Sequence, residues 1–377
     1  MEIEWVRGDV LGHGSFASVN LAKPRKDSDD DNRFPSSMAV KSCDDCCSST
    51  LKNEKEVLDQ IGSCQQIVRC FGDCCSVEKG ERLYNLFLEY ASRGSLADQI
   101  KRNSLKESDV KRYTRSVLKG LRHIHAKGFV HCDIKLQNLL LFDDGDVKIA
   151  DFGLAKKSGN DENQQKQSRF QCRGTPLYMS PESVNDNEYE SPGDIWALGC
   201  AIVEMITGKP AWNHCQDSNM WALLIRIGVG DELPLIPEQL SQQGKDFLIK
   251  CFIKDPKRRW TAEMLLNHPF VVATTTIDNQ FDQDHEEEEG EETENITILK
   301  DSSSSSSTSV SPRSPFSFPD WVSIQSSSPS SSSAENSRFE FDGSFLSSRN
   351  CLLDRIRNLA GDWTPEWSDQ DCWVTVR

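Results

Sequence analysis

The sequence predicts an α+β protein of two lobes, a small β-rich lobe followed by a large α-helical lobe, with a disordered C-terminal tail. Three observations carry this expectation. Strand-like segments fill residues 5–90, helical spacings of three and four take over in residues 91–270, and the chain then turns acidic and serine-rich. The tail divides into an acidic, Ser-rich linker at 271–348 and a short amphipathic segment at 349–377.

The small lobe opens with Leu11-Gly12-His13-Gly14-Ser15-Phe16-Ala17-Ser18-Val19, a glycine-rich loop between two strands. Gly12 and Gly14 let the backbone come close to phosphate groups, where a Cβ would stand in the way. Ala17 occupies the third position of the usual glycine pattern, which costs flexibility; such patterns also occur in ordinary hairpins. Pro24 to Ser37, rich in Asp, Ser and Pro, reads as a mobile loop leading to the strand Met38-Ala39-Val40-Lys41. The helix after it places Glu54 on the face of Leu51, Val57, Leu58 and Ile61, which favours Glu54 over its rival Glu56 as a partner for Lys41. Either carboxylate alone would be an ordinary solvated side chain. Leu83 to Glu89 is a further apolar strand running into Tyr90-Ala91, and Leu88 reads both as core and as the back wall of a pocket.

In the large lobe, Val110, Tyr113, Thr114, Val117, Leu118, Leu121, Ile124 and His125 form one face of a helix that Gly128 ends. His123 and His125 have no acidic ligands nearby in sequence and read as packing or surface residues. Next come Val130-His131-Cys132-Asp133-Ile134-Lys135-Leu136-Gln137-Asn138 and, after the strand-like Val147-Lys148-Ile149-Ala150, Asp151-Phe152-Gly153. A lone Asp or Asn is usually a turn former. Together with Lys41, these spaced polar groups suit a loose phosphoryl-transfer transition state, which needs alignment and charge stabilisation. His131 reads as a brace for the loop. Ile195 to Ile206, apolar except for Glu204, reads as a buried helix and is shorter than the ~18 residues of a membrane span.

These motifs resemble the eukaryotic protein kinase domain from about Trp5 to Phe270, so the expected architecture is the two-lobed protein kinase fold. The resemblance extends to Gly174-Thr175-Pro176 with Met179-Ser180-Pro181-Glu182, to Asp194-Ile195-Trp196-Ala197-Leu198-Gly199, and to Arg259, which pairs with Glu182 in this family. It implies that ATP lies against Leu11 to Ala17, Val19, Lys41, Leu88, Glu89 and Ala91, with Lys41 on the α/β phosphates and fixed by Glu54. Asp133 is implied as catalytic base and Lys135 as neutraliser of the moving phosphate. Asn138 and Asp151 are implied as oxygen ligands for Mg2+. Lys135 and Thr175 follow the serine/threonine pattern. Trp5-Val6-Arg7-Gly8, Met179-Ser180-Pro181-Glu182-Ser183-Val184 and His268-Pro269-Phe270 resemble plant MAP kinase kinase kinases of the MEKK class, in the short-chain group with an N-terminal kinase domain. MAP kinase kinases in a stress or hormone cascade, abscisic acid among the signals, are the substrates so implied. An active kinase with other substrates and a pseudokinase scaffold are the alternatives.

Cys132 departs from the family, which places arginine there to pair with a phosphorylated activation-loop residue. Ser158, Ser168 and Thr175 are the hydroxyls between Asp151 and Glu182, and Lys156, Lys157, Arg169 and Arg173 remain to hold a phosphate. A Cys-His-Asp nucleophile lacks any accompanying oxyanion-hole motif, so Cys132 reads as a small buried residue.

Fourteen cysteines without a signal peptide point to a reducing compartment, cytoplasmic, nuclear or both. Cys43, Cys46, Cys47, Cys70, Cys74 and Cys75 cluster, but no His-x-x-x-His partner accompanies them. Cys43 is expected just after the Lys41 strand and Cys70 at the end of another. Residues 271–377 hold 20 acidic and 7 basic side chains, which accounts for most of the net charge of -16. No basic footprint for nucleic acid exists, and no membrane span. Ser311, Ser314 and Ser328 each precede proline and suit proline-directed kinases, though a passive linker reads as well. The stripe Leu352, Leu353, Ile356 and Leu359, with Trp363, Trp367 and Trp373, suits docking of a regulator or of the chain's own surface.

Overall fold

The computed structural model describes residues 4–14, 17–25, 34–101, 104–159, 173–212 and 220–272. Ser15, Phe16, Ser168, Arg169, the tail serines and the Leu352–Trp373 stripe lie outside them. The small lobe is a five-stranded antiparallel sheet in the order β1-β2-β3-β5-β4, from Trp5–His13, Ser18–Pro24, Met38–Asp44, Glu81–Glu89 and Cys70–Glu78. The central strand β3 is buried along nearly all of its length, because α1 (Ser49–Ile61) covers one face and Trp5, Phe34 and Phe71 pack on the other. Cys43 lies within β3 and Cys70 opens β4 rather than ending a strand. Pairing with β5 sets both positions: Cys43 lies opposite Tyr84 and Cys70 opposite Leu88.

In α1, Leu51, Glu54, Val57, Leu58 and Ile61 are buried, so one carboxylate sits in an otherwise apolar stripe. A charge taken out of water in this way needs a partner. The chain then enters the helical lobe through α2 (Leu96–Ile100), whose Ser95 and Asp98 exchange side-chain and backbone hydrogen bonds in a capping box. The long α3 (Glu107–Ala126) buries the stripe expected from its sequence.

Short strands β6 (Phe129–Val130), β7 (Leu139–Leu141), β8 (Val147–Ile149) and β9 (Lys156–Lys157) pair as β6–β9 and β7–β8. They hold the segment from Val130 to Asp151 against α3 and the sheet. Beyond it come α4 (Pro181–Asp186), α5 (Ser191–Thr207), α6 (Met220–Gly228), α7 (Gln242–Cys251) and α8 (Ala262–Leu266). Helix α5 is buried on all sides. It starts with proline in the first turn and stops at Gly208, which adopts φ +68°. Gly199 is required within it, since a Cβ there would come 2.7 Å from a ring carbon of Phe252. Glu204, the one acid in this apolar run, accepts a hydrogen bond from the Tyr178 hydroxyl. The packed unit reaches Val271, one residue past the expected boundary: its side chain is buried and its carbonyl accepts from Arg115 Nη1 at 2.9 Å.

Candidate active site

Lys41 lies mid-strand on β3, and its side chain crosses to α1 and to the turn after β8. Its Nζ is 2.8 Å from Glu54 Oε2 and 2.9 Å from Asp151 Oδ1. Glu54 also accepts from Phe152 N–H at 3.2 Å, so one buried carboxylate ties strand, helix and turn together. Burial works against the Lys41 ammonium, but Asp151 and Glu54 outweigh it and hold its pKa up. For Glu54 burial wins and its pKa is raised, with Lys41 opposing. Asp151 is lowered to about 2, because the Lys41 ammonium overcomes the burial of the cleft. Asp151 takes φ +64°, a left-handed conformation uncommon outside glycine that turns its carboxylate towards the cleft, where the side chain keeps 44% exposure.

The segment from His131 to Asn138 is held by buried hydrogen bonds. Asp194, in the first turn of α5, accepts from His131 N–H and Cys132 N–H at 2.9 Å each and contacts His125 Nε2 at 2.8 Å. Burial of Asp194 opposes its charge, but His125, His131 and the backbone donor lower its pKa. His131 Nε2 lies 3.1 Å from Ala150 O, and its Nδ1 accepts from Asp133 N–H at 3.3 Å. Those contacts select the tautomer with the proton on Nε2. His131 also packs edge-on to Phe152, with centroids 4.8 Å apart. The loop is thereby braced from below and from the side.

Above this brace, Asp133 is only 8% exposed. Its Oδ2 is 2.7 Å from Lys135 Nζ and accepts from Asn138 Nδ2 at 3.1 Å, while Oδ1 accepts from the Thr175 hydroxyl at 2.8 Å. Lys135 Nζ in turn donates to Thr175 Oγ1 at 3.0 Å. The Thr175 hydroxyl is thus engaged with both Asp133 and Lys135. A phosphate on that hydroxyl would place negative charge against the Asp133 carboxylate. Gly174 makes this approach possible: at φ +94° a Cβ would stand 2.5 Å from Cys132 O. Asn138 also gives its amide N–H to Asp133 O at 2.8 Å, so both of its side-chain donations go to Asp133.

Gly12 pairs with Val19 and His13 with Ser18 across β1–β2, and Gly14 N–H donates to Ala17 O at 2.7 Å, closing the glycine-rich turn. Leu11 packs against the main core. Leu88 is buried between Ala39 and Cys70 on the neighbouring strands. Glu89 Oε2 accepts from Arg69 N–H and its Oε1 contacts Lys148, and Ala91 O accepts from Gly94 N–H at 3.2 Å. Away from the cleft, Arg259 makes a buried bidentate pair with Glu182, at 2.5 and 3.0 Å, and also donates to the Pro192 carbonyl.

Cys132 takes φ +68° and is partly buried, its Sγ 3.6 Å from Val130 O. Burial, with Asp194 adding to it, pushes its thiol up and so disfavours the thiolate that a nucleophile needs. It faces a pocket shared with Arg173, Tyr178, Glu190 and Asp194. Glu190 accepts from Lys156 Nζ at 2.9 Å, from the Ser158 hydroxyl and from Gly159 N–H, so β9 is joined to the start of α5.

Three supporting residues were not legible as site residues. Asp194 enters the sequence reading only within a motif of the family resemblance; the signal for it is an acid opening an apolar run, which demands a buried partner. Asn53, which donates to the carbonyls of Gly153 and Ala155, and Glu190 carried no sequence signal of their own.

Residues 5–271 match the protein kinase domain family. Over its whole length the chain is similar to mitogen-activated protein kinase kinase kinase 20 of Arabidopsis thaliana, at 50% identity over 379 aligned residues and 100% of each chain. It is 37% identical over 279 residues to mitogen-activated protein kinase kinase kinase 17 of the same plant, covering 73% of this chain and 72% of that one. With mitogen-activated protein kinase kinase kinase 1 the figures are 40% over 275 residues, 71% of this chain and 42% of that protein.

Proposed function

The chain belongs to the protein kinase domain family and is a serine/threonine protein kinase of the MAP kinase cascade, and on that premise we propose that it is a MAP kinase kinase kinase whose substrates are MAP kinase kinases in a plant stress or hormone cascade. The observation that carries this reading is the likeness to mitogen-activated protein kinase kinase kinase 20, which runs through the tail as well as the kinase domain. The assembled set of Lys41, Glu54, Asp133, Lys135 and Asp151 favours catalysis over a scaffold role.

In this reading Lys41, fixed by Glu54, holds the ATP phosphates while the glycine-rich turn covers them. Asp133 orients the substrate hydroxyl and takes its proton, and Lys135 offsets charge on the transferred group. Thr175 holds both at the distance of one hydrogen bond. The Asn138 amide oxygen and the Asp151 carboxylate are hard oxygen donors that fit Mg2+, and that ion, when bound, neutralises charge developing on the phosphates. The cytoplasm and nucleus are the compartments we assign to it. Among the described residues no helix is long and apolar enough to cross a membrane.

The test offers purified full-length protein a panel of catalytically inactive MAP kinase kinases with Mg2+ and ATP, and maps the phosphosites. Serine or threonine phosphate on at least one member, formed faster than on a generic basic protein, is expected. Turnover of the generic protein with none of the panel would overturn the substrate assignment and leave the kinase intact.

A further inference from the structure

The cysteine cluster of the small lobe has no part in the chemistry above, yet it touches the helix that carries Glu54. Cys46 and Cys47 lie in a single 3-10 turn, Asp45–Cys47, between β3 and α1. Both side chains are exposed and both are free thiols, with their sulfurs 3.4 Å apart. Among the described residues, no three His, Cys, Asp or Glu side chains converge well enough to hold a metal ion. Two accessible thiols in contact, without a third ligand, suit two-electron oxidation better than metal binding.

The turn is wired to α1. Asp44 caps it by accepting from Cys46 N–H at 3.0 Å, and the Ser48 hydroxyl donates to Asp45 O at 2.6 Å. The Asp45 carboxylate pairs with Lys52 on α1 at 3.3 Å and with Arg82 on β5 at 3.0 Å. Glu54 follows five residues after the first residue of α1, roughly 7.5 Å along the helix axis at 1.5 Å per residue. Whatever moves this turn moves the start of that helix.

We propose that Cys46 and Cys47 form a redox-sensitive vicinal dithiol, oxidised by hydroperoxides to a disulfide that displaces α1 and weakens the Lys41–Glu54 pair. Geometry supplies the coupling. Neighbouring residues joined by a trans peptide have Cα atoms about 3.8 Å apart, whereas disulfides ordinarily span about 4.4–6.8 Å. The bond therefore cannot form while the 3-10 turn keeps its shape, so the peptide between the two residues must distort and the caps at Asp44 and Ser48 must shift. The same strain makes the bond easy to reduce, as expected of a regulatory rather than a structural disulfide.

The chemistry is balanced. The thiolate of one cysteine attacks one peroxide oxygen, the O–O bond breaks, and the other oxygen leaves as hydroxide or alkoxide, which takes up a proton to become water or an alcohol. The other cysteine then attacks the resulting sulfenic sulfur, the S–O bond breaks, and the hydroxyl leaves as water with that cysteine's proton. Two thiols lose two electrons and the hydroperoxide gains them. Both thiols are exposed with their sulfurs 3.4 Å apart, so either can react first and the other resolve it.

The experiment treats full-length protein with a small excess of hydrogen peroxide, alkylates the remaining thiols, and reads the tryptic peptide Ser42–Lys52 by mass. That peptide contains Cys43, Cys46 and Cys47. The expected result is one alkylated thiol and the loss of two hydrogens, with phosphoryl transfer falling about tenfold or more, since small displacements of positioning groups cost that much. Dithiothreitol should restore both. Cys46→Ser and Cys47→Ser should keep their activity under peroxide, and Cys43→Ser should behave as the parent. Three alkylated thiols after treatment, an undiminished rate in the oxidised parent, or equal loss in Cys46→Ser would each overturn the proposal. The mass readout does not depend on which protein is the substrate, so its failure is distinct from failure of the cascade assignment.

Discussion

At the scale of single residues, the site rests on charges that are paired before any substrate arrives. Lys41 is held by two carboxylates, and Asp151 is kept ionised by Lys41. Replacing Lys41→Met or Asp151→Asn removes charge from the cleft without opening a hole in the core. Each should lower phosphoryl transfer by at least ~10²-fold, the cost of losing one preorganised electrostatic contact, with circular dichroism unchanged. Near-parent turnover in either variant, at matched folded protein, would refute the site assignment. Thr175 makes a second case. Its hydroxyl bridges Asp133 and Lys135, so Thr175→Glu should be inactive rather than activated, while Thr175→Ser retains most activity. Because Cys132 stands in place of the phosphate-pairing arginine and Glu190 already holds Lys156 and the backbone after β9, phosphatase-treated protein should retain most of its activity. Activity that vanishes on dephosphorylation and returns with Thr175→Glu would reverse both expectations.

At the scale of elements, α5 acts as the floor of the site. Its first turn carries Asp194, whose carboxylate accepts two backbone N–H groups of the loop that presents Asp133. A carboxylate with a depressed pKa adds stability that is fully present above its unfolded value, about 3.9, and is lost as pH falls through the folded one. Asp194→Asn should therefore destabilise the protein at pH 7 by about 3 kcal/mol or more, given charge-assisted hydrogen bonds at about 1.5–3 kcal/mol each. The difference from the parent should shrink as pH drops below about 3.9. Thermal melts of both proteins between neutral and acid pH read this directly. A gap that stays constant through the acid range would mean that the carboxylate charge is not what braces the loop.

At the scale of the whole molecule, two lobes meet at the Lys41–Glu54–Asp151 triad, and among the described residues the packed unit reaches Val271. The tail beyond carries most of the net negative charge and the stripe Leu352, Leu353, Ile356 and Leu359. Each large apolar side chain buried is worth roughly 1.5–3 kcal/mol, enough in combination to hold a tethered segment or a regulator. A chain ending at Val272 should fold and catalyse, with basal rate, substrate choice or cellular lifetime changed. A Leu352/Ile356/Leu359→Ala variant should reproduce that change if the stripe is the anchor. Identical turnover, binding and abundance in all three proteins would reduce the tail to a solvated extension.

The sequence by itself determined the two-lobed α+β order, the pairing of Lys41 with Glu54 rather than Glu56, and the buried character of α5. Those follow from local spacing: helical periodicity puts Glu54 on the apolar face, and a buried charge must find its opposite. The family resemblance likewise marked Glu182 and Arg259 as partners across 77 residues of sequence. Only the tertiary structure decided what Thr175, Asp194, Glu190 and Asn53 do, and that Cys46 and Cys47 bear on α1. Their partners are far off in the chain or on another element, and a single polar side chain carries no periodicity to announce it. Thr175 looked like a free hydroxyl because sequence records residue type and order, whereas a hydroxyl's availability depends on which carboxylate the fold brings within hydrogen-bond distance of it.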